Sequence, residues 1–329
     1  MTAAEQGRPG RGGRPATRAP QDRPEPIRAV PVRHPGRWLA AAVVAVLAAM
    51  FVDMLVTNPA FQWRFMLDNM FTAPVLEGAR TTLAMTVLAM LLGVALGAVV
   101  AVGRLSANPV IAWATWVYTW FFRAVPRLVL LILFGNLGIL YRQVGFGLPF
   151  DRQLLGLFGL HGDTTLFTLD ARTVLSGFSA GLIGLTLSEG AYMAEIVRAG
   201  IQSIDPGQAE AAQALGMGRL LTMRRIVLPQ AMRVIVPPTG NETIAMLKDT
   251  ALLAYVPVTN ELFFQLQAVG NRTFQLFPML VAACLWYLVM TSVLMVGQYF
   301  LERHFARGVQ GRARERLYIA TVPRGSALE

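Results

Sequence analysis

The chain has 329 residues, 54% of them hydrophobic and only 15% charged, with a mean hydropathy of +0.49, a balance that excludes an ordinary soluble domain and fits a polytopic membrane protein. The formal net charge of +10 is spread over short basic blocks between apolar stretches, which argues for a topology signal rather than a nucleic-acid face. One cysteine, Cys284, and three dispersed histidines, His34, His161 and His304, exclude an internal disulfide, a Cys-based redox or metal motif and a His ligand set, so no metal site is expected.

Residues 1–37 are rich in Pro, Gly and Arg without apolar periodicity, which predicts a disordered basic tail, with contact to anionic lipid as a secondary role. The apolar run at 38–57 is longer than a signal-peptide core, and no small-residue cleavage site precedes Asn58-Pro59, so it is read as a retained first transmembrane helix. Further stretches long enough for a hydrocarbon core of about 30 Å follow at 76–103, 110–137, 173–198, 234–256 and 278–301. About six transmembrane helices make this an all-α polytopic membrane protein. The intervening segments divide the arginines unevenly. Eight before residue 38, Arg104, five in 198–233 and six after 301 fall on one side; Arg64, Arg142, Arg152, Arg172 and Arg272 fall on the other. The positive-inside rule then places both termini and the 199–232 loop in the cytoplasm. The tail at 303–329 holds VPRGS at 322–326, which reads equally as part of a natural tail or of a thrombin-cleavage linker and carries no functional weight.

The loop between the fourth and fifth spans holds the most specific pattern. It reads Glu210-Ala211-Ala212, then Gly216, then Ile226, then Leu228-Pro229. Asp205 suits an N-cap, Pro206 the first helical position and Gln208 the third, a capping-box-like start. Ala211, Ala212 and Leu215 then share one side of a helix of two to three turns, and Gly216 stands where a left-handed residue ends it. A second helix is expected from about Arg219 to Leu228, limited by Pro229 before the next span.

That spacing resembles the EAA loop of the inner-membrane permease subunits of binding-protein-dependent ABC importers. The resemblance extends from about 76 to 308. It is carried by EGARTTLAMTVLAMLLGVALGAVVAVGRLS (77–106), YTWFFRAVPRLVLLI (118–132), AYMAEIVRAGIQSIDPGQAEAAQALGM (191–217), LPQAMRVIVPPTGNETIAMLKDTAL (228–252) and YFLERHFARG (299–308). These are similar to the polar amino-acid branch, the histidine, glutamine, glutamate and arginine importers. Two departures stand out: Ala124-Val125-Pro126 replaces the usual Gly-Thr-Pro, and Gly218 stands where Ser or Thr often caps the second loop helix.

The resemblance implies a type I ABC importer permease core of five helices at 76–302, plus one N-terminal helix, in the bacterial cytoplasmic (inner) membrane. It implies ATPase coupling through Glu210, Ala211, Ala212, Leu215, Gly216, Ile226, Leu228 and Pro229. The implied partners are two ABC ATP-binding subunits, an extracytoplasmic solute-binding protein, a second permease subunit and the lipid bilayer, with no nucleic acid. No cofactor is expected in this chain; ATP and Mg would belong to the ATPase subunits. A P-loop needs Gly-Lys, and the sole lysine, Lys248, follows Leu247. No nucleophile or metalloprotease motif appears either, so the chain reads as a transport subunit and not an enzyme. The alternative from another class is an ion-gradient-driven secondary amino-acid transporter, which also tolerates buried charge but leaves the EAA spacing unexplained.

Polar groups inside apolar spans normally face a bundle interior or a wet pathway. Arg123 and Pro126 interrupt the third span, Glu189 lies in the fourth, and Asn241, Glu242, Lys248, Asp249 and Thr250 punctuate the fifth. A zwitterion needs an acceptor for its ammonium and donors for its carboxylate; Glu189, Glu242 or Asp249 with Arg123 or Lys248 would supply both. The competing reading makes Lys248 and Asp249 parts of structural pairs and Glu195 with Arg198 a helix-surface pair.

Overall fold

The computed structural model describes residues 35–140, 143–147, 156, 166–170, 174–175, 177–256 and 258–306. The predicted tail at 1–37 lies almost wholly outside the described residues, as do most of the 303–329 tail and of the 138–172 segment.

Helix α1 (Pro35–Thr57) is a unit by itself. Its 23 residues rise about 35 Å at about 1.5 Å each, enough for a hydrocarbon core. It is apolar all round, with exposed side chains along its length, which suits lipid rather than water as its surroundings.

The second unit begins with a short turn, Pro59–Phe61, capped by the Asn58 side chain, which accepts the Ala60 N–H at 2.9 Å. Helix α2 (Trp63–Asn69) follows, then α3 (Ala73–Arg104). Helix α3 makes its most extensive contact with α6 (Gly177–Gln202). Missing side chains bring the two together: a Cβ at Gly93 would stand 2.7 Å from Glu189 Cγ, and one at Gly97 2.5 Å from Met193 Cβ, so small residues set the approach, as they do between membrane helices generally.

The span expected at 110–137 is a bent pair, not one straight helix. Helix α4 (Pro109–Ala124) and α5 (Arg127–Leu140) meet at 104°. Val125 is extended, with φ −85° and ψ 131°, the region forced on a residue before proline, and Pro126 has no N–H to continue the ladder. Beyond α5, β1 (Gln143–Phe146) and β2 (Phe167–Asp170) pair antiparallel, with Gln143 opposite Asp170.

After α6 come α7 (Pro206–Ala214), α8 (Arg219–Thr222), a π turn at Met223–Val227 and α9 (Leu228–Asp249), which ends in a 3-10 turn at Thr250–Tyr255. The expected stop at Pro229 is absent. Leu228 N–H reaches back to Met223 O, and the wide turn takes the carbonyl ladder off the proline ring, so the helix passes through. Pro237 and Pro238 also lie inside α9. Helix α10 (Leu262–Thr273), which was not among the expected spans, precedes α11 (Leu276–Ala306).

Two buried clusters hold this unit together. One joins Met66, Val75 and Ala79 to Leu262, Leu266, Met279 and Ala282; the other joins Met85 and Ala89 to Leu131, Leu185, Met246 and Leu253. Glu261 tethers the first. Its fully buried carboxylate accepts the N–H groups of Phe263 (2.7 Å) and Phe264 (3.1 Å), the Thr82 hydroxyl (2.9 Å) and the Tyr287 hydroxyl (2.7 Å). Burial pushes this carboxyl above the ordinary carboxylate range, and the donors work against that shift.

By length and composition, α1, α3 and α11 can cross a membrane, and the α4–α5 pair makes a fourth span if counted as one. The other two expected spans are helical, as α6 and α9. Their charged residues, Glu189, Glu195 and Arg198 in α6 and Arg233, Glu242, Lys248 and Asp249 in α9, lower their hydropathy.

Candidate functional site

Sequence reasoning paired the carboxylates of the fourth and fifth spans with Arg123 or Lys248. The cation between them is Arg127, the first residue of α5 after the Pro126 break. The bend aims it across the bundle at α6 and α9. Its Nε donates to Ser188 Oγ at 3.1 Å and its Nη2 to Glu189 Oε2 at 3.2 Å, while Nη1 donates to Asp249 Oδ2. One guanidinium thereby ties three helices, using the fork geometry that a lysine lacks.

The three side chains grade inward. Asp249 is 34% exposed, Arg127 13% and Glu189 0%. Glu189 has one oxygen, Oε1, that is buried without a hydrogen-bond partner. The Tyr192 ring lies beneath two guanidinium groups, with Arg127 Cζ at 5.3 Å from its centroid and Arg123 Cζ at 5.6 Å, within the range of a cation–π contact. Glu242 is half-buried on α9, about two turns before Asp249.

The remaining candidates separate. Lys248 is exposed and makes no ion pair among the described residues. Thr250 is buried and donates to Leu247 O at 2.7 Å, closing the end of α9. Asn241 is exposed. Arg198 pairs with Glu195 at 2.6 Å, as a helix-surface pair should, and Arg104 joins them at 3.4 Å. Arg104, Trp116, Trp120, Arg123 and Glu195 line an open cleft of about 410 Å³.

Arg127, Ser188 and Tyr192 were missed. An arginine embedded in PRLVLLI reads as the flank of an apolar run, and the only available signal was its place directly after the proline that breaks the span.

The 205–229 loop is built from its caps outward. Asp205 Oδ1 accepts the Gly207 N–H at 2.9 Å, with Pro206 in the first turn. At the other end Gly216 takes φ +79°, its N–H bonds Gln213 O at 2.9 Å and the Met217 N–H bonds Ala212 O at 3.0 Å. This pair of bonds around a left-handed residue is a Schellman ending. Ala212 is buried, whereas Glu210, Ala211, Leu215 and Gly216 are exposed, Leu215 to 85%. Leu220, 83% exposed, adds a second bare apolar side chain. Ile226 is half-buried and Leu228 and Pro229 are exposed.

The family profile described as "Binding-protein-dependent transport system inner membrane component" matches residues 93–307. The chain is 46% identical to the arginine transport system permease protein ArgU of Corynebacterium glutamicum, over 87% of this chain and 85% of that protein. It is 31% identical to the probable glutamine ABC transporter permease protein GlnM of Bacillus subtilis, over 70% of this chain and 93% of that protein. Among solved structures, a crystal structure of an amino acid ABC transporter with histidines superposes with a TM-score of 0.55 at 31% identity, covering 71% of this chain and 95% of that one.

Proposed function

The chain belongs to the family of binding-protein-dependent transport system inner membrane components, and from that membership we propose that it forms the translocation pathway for a polar amino acid, driven through its 205–217 loop by separate ATP-binding subunits. The observation that carries this reading is the family match across 93–307, which takes in the loop, the bent α4–α5 pair and the charged cluster together. Arginine is the first substrate to try, because ArgU is described as an arginine permease.

In this reading Glu210, Ala211, Leu215 and Gly216 face an ATP-binding subunit, buried Ala212 seats their helix on the rest of the chain, and Ile226, Leu228 and Pro229 join that surface to α9. Exposed apolar side chains on an otherwise polar loop, Leu215 and Leu220, support a protein partner there. Arg123, Pro126, Glu189, Asn241, Glu242, Lys248, Asp249 and Thr250 remain the pathway candidates, with Arg127 added and with Thr250 and Lys248 the weakest on their contacts. The complex would hold two such permease subunits and two ATPases, with an external solute-binding protein delivering substrate. The termini and the 199–232 loop would face the cytoplasm. ATP-driven closure of the ATPase pair would then rock the helix bundles between inward and outward access.

The test is reconstitution with its ATP-binding and solute-binding partners in proteoliposomes. ATP-dependent uptake of a polar amino acid is expected. Uptake driven by an ion gradient with the permease alone would overturn the reading.

A further inference from the structure

We propose that the cleft between α3, α4 and α6, lined by Arg104, Trp116, Trp120, Arg123 and Glu195, is a binding site for the phosphate headgroup of an anionic phospholipid. The inference goes beyond the importer reading and takes from it only that the chain spans a bilayer with its 199–232 side in the cytoplasm.

Close packing builds the site. A Cβ at Gly103 would stand 2.5 Å from Thr115 Cγ2, so the missing side chain lets the end of α3 settle on the middle of α4. That contact brings Arg104 beside Trp116 and Trp120, while Arg123 enters from the last turn of α4 and Glu195 from α6. The cleft, about 410 Å³, is of the size that holds a small ligand. Arg127 and the carboxylates it binds do not line it.

Unmet donors are the first ground. Arg104 Nε is buried with no acceptor, and its Nη2 reaches Glu195 Oε1 only at 3.4 Å, beyond the usual N–H···O range. Glu195 is already taken: Arg198 donates Nη2 and Nε to its Oε2 at 2.6 and 3.0 Å. Arg123 rests on the Tyr192 ring and makes no ion pair among the described residues. Three guanidiniums thus gather around one carboxylate, and protonation of Glu195 would only raise the positive excess. Buried donors left unmade are costly. A phosphate offers several charged acceptor oxygens, to which a guanidinium fork binds two at a time.

The apolar wall is the second ground and selects a lipid over a soluble anion. Trp113, Trp116 and Trp120 follow each other at three and four residues, which makes them one stripe along α4. They are 66%, 45% and 57% exposed, and the last two indoles stack at 6.2 Å. Tryptophan gathers at the headgroup level of a bilayer, and basic pockets between helices on the cytoplasmic side take anionic headgroups. The 104° bend between α4 and α5 agrees with such a level, because the two limbs cannot both follow the bilayer normal. A phosphate held by Arg104 and Arg123 would place its glycerol and upper acyl chain along the indoles. It would also fix the α4 limb just before the Pro126 break.

Native mass spectrometry of the purified permease–ATPase complex tests this, by titration with phosphatidylglycerol or phosphatidylcholine. Phosphatidylglycerol is expected to bind about tenfold or more tightly than phosphatidylcholine, and millimolar inorganic phosphate should not displace it. Arg104→Gln with Arg123→Gln should weaken phosphatidylglycerol binding about tenfold, and Arg123→Gln alone, which breaks no ion pair among the described residues, about threefold. Arg233→Gln with Arg303→Gln removes the same charge from exposed positions outside the cleft and should stay within about twofold of wild type. Equal binding of the two lipids, displacement by inorganic phosphate, or as large a loss in the Arg233–Arg303 variant as in the cleft variant would each overturn the proposal. Any of these with ATP-dependent amino-acid uptake intact would leave the importer reading standing. Failed uptake with selective lipid binding preserved would overturn that reading alone.

Discussion

Gln298 of α11 lies directly over Gly240 of α9 and donates its Nε2 to the carbonyl of Pro237 at 2.8 Å. The same Nε2 reaches Glu302 Oε1 at 2.7 Å. A Cβ at Gly240 would collide with the Gln298 amide, so the glycine is what lets α11 bind the helix next to its double proline. Gly240→Ala should destabilise the protein by about 0.5–1.5 kcal/mol, because the methyl turns the end of Gln298 aside and its hydrogen bond to Pro237 O is lost. A lowered unfolding midpoint in detergent checks this, and adding Gln298→Ala, which loses the same hydrogen bond, should lower it little further.

Loss of the left-handed ending of α7 should uncouple rather than unfold. Gly216 has open space around its Cα, so Gly216→Ala costs only the positive-φ strain of about 1 kcal/mol. Substrate-stimulated ATP hydrolysis in the assembled complex should fall severalfold, while expression and thermal stability stay close to wild type. Full stimulation in this variant and in Glu210→Ala would remove the loop from the mechanism.

Leu215 and Leu220 provide a separate check on the docking surface. Neither side chain is packed within this chain, so Leu215→Asp with Leu220→Asp should leave the permease stable. Recovery of the ATP-binding subunit on affinity purification should drop about tenfold or more, as when apolar anchors are removed from an interface.

Glu261→Gln should be strongly destabilising, although it changes one atom. The carboxylate accepts from four donors on three elements, and an amide turns one acceptor into a donor facing them. The expected cost is about 1–3 kcal/mol for a buried group left unsatisfied, read as a lower unfolding midpoint. Thr82→Val removes one donor only and should cost less.

How much of this was legible in the sequence depended on the range of the interaction. The caps of α7 are local, so Asp205, Pro206 and Gly216 announced both of its ends correctly. The same local rule failed at Pro229, because a proline stops an α-helix but not one that widens into a π turn just before it. Pro126 was flagged as an interruption, yet its consequence, the 104° bend, depends on the extended Val125. That bend decides where Arg127 points. The partners of Arg127 lie 61, 62 and 122 residues away, and no spacing rule connects them. Glu189 and Asp249 were singled out because charge in an apolar span is conspicuous; Arg127 was hidden because a cation beside a proline looks like the end of a span. Helix α10 escaped for a different reason, being too short and too mixed to register as a span.

The π turn at Met223–Val227 gives the chain one continuous helical stretch from Arg219 to Asp249. At about 1.5 Å per residue it is roughly 45 Å long, with the bare leucines of the loop beside one end and the carboxylate that holds Arg127 at the other. If the loop couples to an ATPase as proposed, a push delivered at the first end need not travel through a chain of side-chain contacts. It would arrive as displacement of a lever held at the clamp of Gln298 on Pro237, and the wide turn at Met223–Val227 would be the point where that lever gives.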